Sequence, residues 1–181
     1  MVGTLDWTPA LGRRDLLAAP VADALAHRPG GADEVLVAEI DPDLADTAAF
    51  CDRYDVPLEI SANCVVVATK RAGERRLAAC VVMATTRADV NGLARRTLDA
   101  RKASFAPMDL AVAETGMAHG GITPVGLPPG WPLLVDAAVA DAEQAVVGSG
   151  VRRSKLLVPG SLLAGLPGVV VLDGLGLPAG S

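Results

Sequence analysis

The sequence is poor in aromatic residues and in long apolar runs. Only five of its 181 residues are aromatic (two Trp, two Phe and one Tyr), although 51% are hydrophobic. A core built mainly from Val, Leu and Ala favours mixed helices and strands with buried Val-rich strands. No apolar run approaches the roughly 20 residues of a membrane-spanning helix, and charged residues interrupt the first fifteen positions, where a secretory signal would lie. We therefore expect a cytoplasmic protein without membrane contact.

Cysteine and positive charge are also scarce. The three cysteines lie in or beside apolar stretches without the spacing of a zinc site, which favours a reduced setting. The net charge of −5 argues against a free-standing electrostatic binder of nucleic acid, because Lys and Arg supply most non-specific affinity for phosphates, and no DNA partner is expected. Basic clusters at residues 71–76, 95–102 and 152–155 are interpreted as solvated turns and helix faces.

Apolar periodicity and turn residues divide the chain into short alternating elements. Helices are predicted at residues 13–27, 43–54, 89–99, 107–115 and 160–164, and strands at 34–40, 62–69, 77–84, 103–105, 132–136, 145–148, 155–158 and 169–172. The charged connector 70–76 predicts a hairpin, and the tail 175–181 is expected to fray.

This order predicts an α/β (mixed α+β) fold with a mixed, partly barrel-like β-sheet flanked by helices. We divide the chain into an amino-terminal extension with one helix, residues 1–33, and a single domain, residues 34–181.

A glycine-rich loop, residues 116–126 (GMAHGGITPVG), is the strongest candidate site. Gly120 and Gly121 can adopt positive φ and let a ligand approach the backbone. Their consecutive N–H groups can converge on one oxygen. Pro124 fixes the turn, and Gly126 permits a further reversal. A plain tight connection uses the same residue types, so the loop alone leaves both interpretations open.

Several segments occur in a recognisable order: CDRYDVPLEISANCVVVA, VNGLARRTLDARKASFAP, GGITPVG, PLLVD and VVGSGVRRSKLLV. Together, over roughly residues 34–173, they resemble the YbaK/EbsC family of aminoacyl-tRNA deacylases, which is related to the prolyl-tRNA editing domain. The resemblance implies a trans-editing hydrolase that cleaves the ester between a wrongly attached amino acid and the 3′ end of tRNA. It also implies that no metal, cofactor or covalent nucleophile takes part. A second selection step of this kind is needed because a synthetase gains only ~1–3 kcal/mol of discrimination between amino acids that differ by one methylene.

The resemblance also implies site residues. Gly120, Gly121, Pro124 and Gly126 would form the substrate loop, and Asp136 and Gly150 would line the site, with Asn63 at a position where the family usually has lysine. We place Asn63, Gly120 and Gly121 in the catalytic set. The predicted substrate-binding set is His119, which adjoins Gly120, together with Pro124, Gly126, Asp136, Ser149 and Gly150.

Alternatives stay open for several of these residues. Asp136 can instead bond backbone N–H groups, and Ser149 with Gly150 can be a simple turn. Cys64 and Cys80 are interpreted as small buried hydrophobes, and a Cys64 nucleophile paired with His119 is the competing hypothesis.

Asn63 is the main departure from the family. An amide donates and accepts hydrogen bonds but carries no charge, and loss of one preorganised donor typically costs ~10²–10³ in rate. Lys70 lies on the order of 23 Å further along the strand. The substitution leaves open a shifted substrate, a weaker hydrolase, or a non-catalytic module that binds an aminoacyl-tRNA end or a partner protein. A hydrolase for another small aminoacyl ester or thioester is a further alternative. A synthetase or an elongation factor could supply the positive surface that this chain lacks.

Overall fold

The computed structural model describes residues 2–178, which form eleven strands and six α-helices. The strands are β1 (Thr8–Pro9), β2 (Leu36–Glu39), β3 (Ala62–Arg71), β4 (Glu74–Met83), β5 (Thr86–Ala88), β6 (Lys102–Phe105), β7 (Leu133–Asp136), β8 (Ala145–Gly148), β9 (Ser154–Val158), β10 (Val169–Leu172) and β11 (Gly176–Pro178). The helices are α1 (Ala19–Ala26), α2 (Thr47–Tyr54), α3 (Arg95–Thr97), α4 (Met108–Thr115), α5 (Ala137–Ala140) and α6 (Gly160–Ala164).

The strands form three sheets. One has the order β1-β2-β9-β8, a second has the order β10-β7-β4-β3-β6, and β11 pairs with β5. Strand β7 runs parallel to both β4 and β10, whereas the other ladders are antiparallel. The predicted mixed α/β fold is therefore confirmed. Within residues 2–178 the sheets do not close into a barrel, and a parallel bridge between Ser61 and Val146 joins the first sheet to the second.

The longest ladder is the β3–β4 hairpin, which was predicted from the sequence. Its strands extend further into the charged connector than expected and leave only Ala72 and Gly73 between them. Both residues have positive φ, 49° and 85°, as a two-residue turn with the twist of a hairpin requires. The alternate apolar residues of β3 and β4 pack against two cores, one on each face of the sheet.

The amino-terminal segment differs from the prediction of one helix at residues 13–27. A 3₁₀ segment, Ala10–Leu16, is interrupted at Arg13 (φ −128°) and ends where Leu17 becomes extended. Helix α1 then begins at Ala19, with Pro20 in its first turn, where proline is tolerated because that N–H needs no helical partner. Val21 and Leu25 of α1 are buried in the same core as the strands. The division of the chain at residue 33 stays a prediction.

The prediction of a frayed tail is wrong for Gly176–Pro178, which pairs with β5. Residues 179–181 lie outside the described part of the chain. This pairing escapes sequence patterns because both strands are three residues long and far apart in sequence. The predicted helix at 107–115 is confirmed as α4, which is preceded by Pro107 and ends at Gly116 with φ 67°.

Candidate active site

A cavity of about 420 Å³ lies beside the bridge that joins the two larger sheets. Its walls come from the start of β3, the end of β8, the first turn of α2, the segment after β6, and the glycine loop. The polar side chains and loop residues at its surface are Asp46, Thr47, Ser61, Asn63, Cys64, His119, Gly120 and Lys155, and Phe50, Val66, Phe105, Met108 and Ile122 are among the apolar ones.

Lys155 is a buried cation in this cavity, with 7% of its surface exposed. It lies on β9 directly opposite Ala38 of β2 and Gly148 of β8. Because these two neighbours are small, they leave room for the lysine stem on that face of the sheet. Its Nζ donates a 2.7 Å hydrogen bond to the carbonyl of Ala45 and lies 5.2 Å from the centroid of the Phe50 ring. A cation over an aromatic face is stabilised electrostatically.

Burial lowers the pKa of Lys155 to about 8, and the charge of Arg152 acts in the same direction, whereas Cys51 and Asp46 act to raise it. Desolvation disfavours the charged form because a low-dielectric interior solvates an ammonium poorly. The lysine is therefore a titrating group close to neutral pH at the wall of the cavity.

Asn63 and Thr47 lie side by side in the wall of the cavity. The Oγ1 of Thr47 donates a 2.7 Å hydrogen bond to Oδ1 of Asn63. The amide oxygen of Asn63 accepts this bond, and its NH₂ group is available to donate to a ligand. Thr47 opens helix α2, whose N-cap residue Asp46 makes no side-chain capping bond. Asp46 therefore presents a carboxylate to the cavity, and its negative charge favours the ammonium form of Lys155.

Arg152 fixes the glycine loop at His119 and Gly120. Its guanidinium donates to the carbonyl oxygens of His119 at 3.2 Å and Pro42 at 3.1 Å. Gly120 has φ 77°, and a Cβ there would collide with the Arg152 guanidinium. The side chain of His119 is exposed at the rim. His119, Gly120 and Asn63 are the predicted site residues that line the cavity.

Gly121 does not present its N–H to the cavity, contrary to the expected pair of converging amides. Its N–H donates to the carbonyl of Ala118 at 2.9 Å, and its carbonyl accepts from Gly150 at 2.7 Å. Gly121 is buried against the backbone of Val151. The two glycines therefore divide their roles: Gly120 reaches the cavity, and Gly121 attaches the loop to the turn after β8.

Four other predicted substrate-binding residues lie away from this cavity. Pro124 and Gly126 line a separate apolar cleft next to α1. Ser149 is fully buried and bonds Ser154 at 2.7 Å, while Gly150 packs against Ala18 and Val21. Gly148, one residue earlier, is the member of this turn that lines the cavity, and a Cβ there would meet the carbonyl oxygens of Gly121 and Ile122.

Asp136 is also outside the cavity lining, and both of its carboxylate oxygens are occupied. They accept hydrogen bonds from the N–H of Ala138 at 2.9 Å and of Gly176 at 2.7 Å. The carboxylate thus caps α5 and holds β11. This arrangement agrees with the structural alternative for Asp136, in which it bonds backbone N–H groups, although the partners lie outside the glycine loop.

The cysteines are poor nucleophiles in this setting. Burial raises the pKa of the Cys64 thiol above its ordinary range, and the neighbouring Cys80 raises it further. Burial likewise raises the pKa of Cys80 to about 12. Because the thiolate is the reactive form, a Cys64 nucleophile paired with His119 is not favoured.

Sequence reasoning missed Lys155 and Asp46. Lys155 was grouped with Arg152 and Arg153 as a solvated cluster, and that interpretation is wrong for it. The available signal was its position at the start of the strand-like run KLLV, because a strand in the middle of a sheet buries its residues on both faces. Asp46 occupies the N-cap position of α2, where aspartate is common. Only the absence of a side-chain capping bond distinguishes it from an ordinary capping residue.

Neither a metal-binding cluster nor a membrane-spanning helix occurs among residues 2–178. No three His, Cys, Asp or Glu side chains come together there as a metal site would require. No helix among these residues combines the length and apolar character needed to cross a membrane.

A family model described as the aminoacyl-tRNA editing domain matches residues 41–165. The chain belongs to the aminoacyl-tRNA editing domain family. The resemblance inferred from the sequence is thereby confirmed, and the cavity lies within the matched region. A comparison with curated proteins finds no match.

Solved structures share the fold of this editing domain. One is a candidate trans-editing enzyme for prolyl-tRNA synthetase, with a TM-score of 0.72 and 22% identity over 86% of this chain and 94% of that one. A scaffold protein from the computational grafting of epitope backbones has the same TM-score and identity over 86% and 95% of the two chains. A hypothetical protein has a TM-score of 0.67 and 21% identity over 78% and 90%. At these identities the likeness concerns the fold alone.

Proposed function

We propose that this editing-domain protein is a trans-acting aminoacyl-tRNA deacylase that hydrolyses the ester of a mischarged tRNA without a metal ion. The observation that carries the proposal is the cavity that brings Lys155, Asp46, Asn63 and Gly120 together inside the matched region. Its volume of about 420 Å³ is in the range of small-molecule sites. The cavity therefore suits an aminoacyl group better than a long peptide.

The charges in the cavity suggest an orientation for the substrate. The Asp46 carboxylate would accept the α-ammonium group of the amino acid. The Lys155 ammonium would stabilise the negative charge that develops on the ester carbonyl oxygen in the transition state. Lys155 thus supplies, from β9, the positive charge that Asn63 on β3 cannot carry.

The reaction needs one water molecule. Its oxygen forms a bond to the ester carbonyl carbon, the bond from that carbon to the ribose oxygen breaks, and the ribose oxygen leaves with a proton. Asn63, held by Thr47, can donate from its amide group to the ribose hydroxyl or the water. Gly120 gives the substrate access to the loop backbone, and the exposed His119 adjoins the entrance.

The test is incubation with a panel of mischarged tRNAs, especially those charged with Ala, Ser and Cys. We expect deacylation of at least one of them above the uncatalysed rate, and activity that persists after exhaustive chelation. Hydrolysis of none of them would refute the enzymatic proposal. Binding of the charged end without hydrolysis would favour a non-catalytic module, which Asn63 in place of the family lysine motivates. Hydrolysis of other small aminoacyl esters or thioesters alone would favour the third alternative.

We also propose that residues 1–33 are an extension that completes the editing domain formed by residues 34–181. The burial of Leu16, Val21 and Leu25 in the common core supports this. A protein shortened to residues 34–181 should unfold at a lower temperature than the full chain. An unchanged midpoint would contradict the proposal. The cytoplasm remains the proposed location.

A further inference from the structure

A second cavity, here called the basic groove, is lined by five cations: Lys70, Arg75, Arg95, Arg101 and Lys102. They come from the end of the β3–β4 hairpin, from α3 and from the start of β6. No carboxylate lines the groove, and within residues 2–178 none of the five forms a salt bridge with an acidic side chain. A protein of net charge −5 thus concentrates unpaired positive charge on one surface.

The strand register places three of these cations side by side. Lys70 of β3 is directly opposite Arg75 of β4 and Lys102 of β6. Directly opposed residues share a face, with Cβ atoms roughly 4.5–5.5 Å apart, and like charges in such pairs are destabilising. Repulsion among these three side chains therefore lowers the stability of the sheet in the isolated protein. A bound polyanion would relieve the repulsion.

The basic groove continues from the candidate active site along one face of β3. Alternate residues of a strand share a face. Cys64 and Val66 line the active-site cavity, and Ala68 and Lys70, further along the same face, line the groove. From Cys64 to Lys70 an extended strand covers about 20 Å.

An exposed aromatic ring lies between the two cavities. Phe105 is 61% exposed and lines the active-site cavity, while the preceding residue, Ser104, lines the basic groove. Single-stranded nucleic acids bind to surfaces that combine positive charge with aromatic rings, on which the bases stack. The order of features along this surface is cavity, aromatic ring and cations.

We propose that the basic groove binds the phosphates of the nucleotides that precede the aminoacylated 3′ end of tRNA, and that Phe105 stacks on a base of that end. The identity of the RNA rests on the proposed deacylase function. The row of Lys70, Arg75 and Lys102 lets this acidic protein hold RNA by itself. An accompanying synthetase or elongation factor is then not required to supply positive charge.

The experiment measures the affinity for uncharged tRNA at several KCl concentrations, which requires no hydrolysis. The variant K70Q/R75Q/K102Q should bind at least about tenfold more weakly at low salt. The slope of log K against log[KCl] should become shallower by about 2, because each phosphate contact contributes roughly 0.7 with a single strand. A matched variant, R13Q/R14Q/R28Q, removes the same charge from exposed or partly exposed positions outside the groove. It should retain the affinity and slope of the wild-type protein.

Phe105→Ala separates stacking from charge. It should weaken tRNA binding severalfold and leave the salt slope unchanged, since the ring neutralises no phosphate. Thermal unfolding followed by circular dichroism checks that each variant is folded. The side chains of Lys70, Arg75, Lys102 and Phe105 are exposed, so we expect K70Q/R75Q/K102Q and Phe105→Ala to have midpoints no lower than that of the wild-type protein.

A substrate without the preceding phosphates separates this inference from the proposed function. An aminoacyl ester of adenosine should be hydrolysed by K70Q/R75Q/K102Q at the wild-type rate, whereas mischarged tRNA should show a raised KM. If the wild-type protein binds tRNA through the groove but hydrolyses no ester, the deacylase proposal fails and the groove assignment stands. The assignment is overturned if K70Q/R75Q/K102Q keeps the wild-type affinity and salt slope. Equal weakening by R13Q/R14Q/R28Q also overturns it.

Discussion

Lys155 holds its ammonium 5.2 Å from the centre of the Phe50 ring. Within residues 2–178 its hydrogen-bond partner is a backbone carbonyl, that of Ala45, and it forms no salt bridge. Burial of a cation with so little compensation lowers the stability of a fold. A buried ammonium group with so few partners is best explained by an interaction with a ligand that enters the cavity.

Replacing Lys155 by Met should therefore separate stability from activity. Deacylation should fall by ~10²–10³, the usual effect of losing one preorganised group that stabilises an oxyanion. The free energy of unfolding at pH 7 should rise, by up to about 3 kcal/mol, because the cost of burying the charge disappears. Chemical denaturation and single-turnover hydrolysis measure the two effects.

Arg53→Met is the matched control for Lys155→Met. Arg53 lies on the same helix as Phe50 and contacts the Tyr54 ring at 5.3 Å, but it is exposed and outside the cavity. It should leave hydrolysis unchanged. If both variants lost activity, the cause would be a disturbance of α2, on which Phe50 and Arg53 lie, and not the loss of the cation in the cavity.

The pH dependence should follow the pKa of Lys155, which is about 8. If the ammonium form stabilises the transition state, kcat/KM corrected for spontaneous hydrolysis should fall as the pH rises through 8. Lys155→Met should lack this decline. A rate that rises through pH 8 in the wild-type protein would instead identify the neutral amine as a base.

Stability should change in the opposite direction over the same range. The pKa of Lys155 is lower in the folded state than its ordinary value of 10.5. Between about pH 8 and 10.5 the unfolded chain therefore binds more protons, and the stability contributed by this site rises with pH. The difference in unfolding free energy between Lys155→Met and the wild-type protein should accordingly shrink from pH 8 to pH 10.5. A constant difference would contradict the assigned pKa.

Asn63→Lys tests whether the charge can move from β9 to β3. In the wild-type background it adds a second cation to a cavity that already holds Lys155, so deacylation and stability should both fall. In the Lys155→Met background the same change should restore at least about tenfold of the lost activity, because one cation is again present. Single-turnover assays of the four proteins complete a double-mutant cycle. Additive losses would show that the two positions do not share this role.

Asp136→Ala addresses the residue with two alternative roles. Removing the carboxylate leaves the N–H groups of Ala138 and Gly176 without their acceptor, so stability should fall by about 1–3 kcal/mol. The value of kcat should change less than twofold. Asp141→Ala, an exposed acid just after α5, is the control. A large loss of kcat at unchanged stability would instead favour a substrate contact.

Local patterns predicted the elements that are built from adjacent residues. The β3–β4 hairpin was predicted from two strand-like apolar runs and a charged connector with one glycine, and α4 from Pro107 and Gly116. The pairing of β5 with β11 was missed because no local pattern specifies a partner about 90 residues away.

Only part of the candidate site was predicted, for the same reason. The loop glycines mark a close approach of backbones, but their sequence does not say which face meets a ligand, and Gly121 meets the turn at Gly150 instead. Lys155 looked solvated because Arg152 and Arg153 precede it. Its burial depends on Ala38 and Gly148, which the sheet brings to either side.

The bridge between Ser61 and Val146 has a consequence for substrate range. The walls of the cavity belong to two sheets, and within the described residues this single bridge is their shared β-pairing. The angle between the sheets, and with it the width of the cavity, is therefore set by side-chain packing in the core that they share. Substitutions that alter the packing at this junction should change the width of the cavity. They offer a route to editing a larger or smaller amino acid.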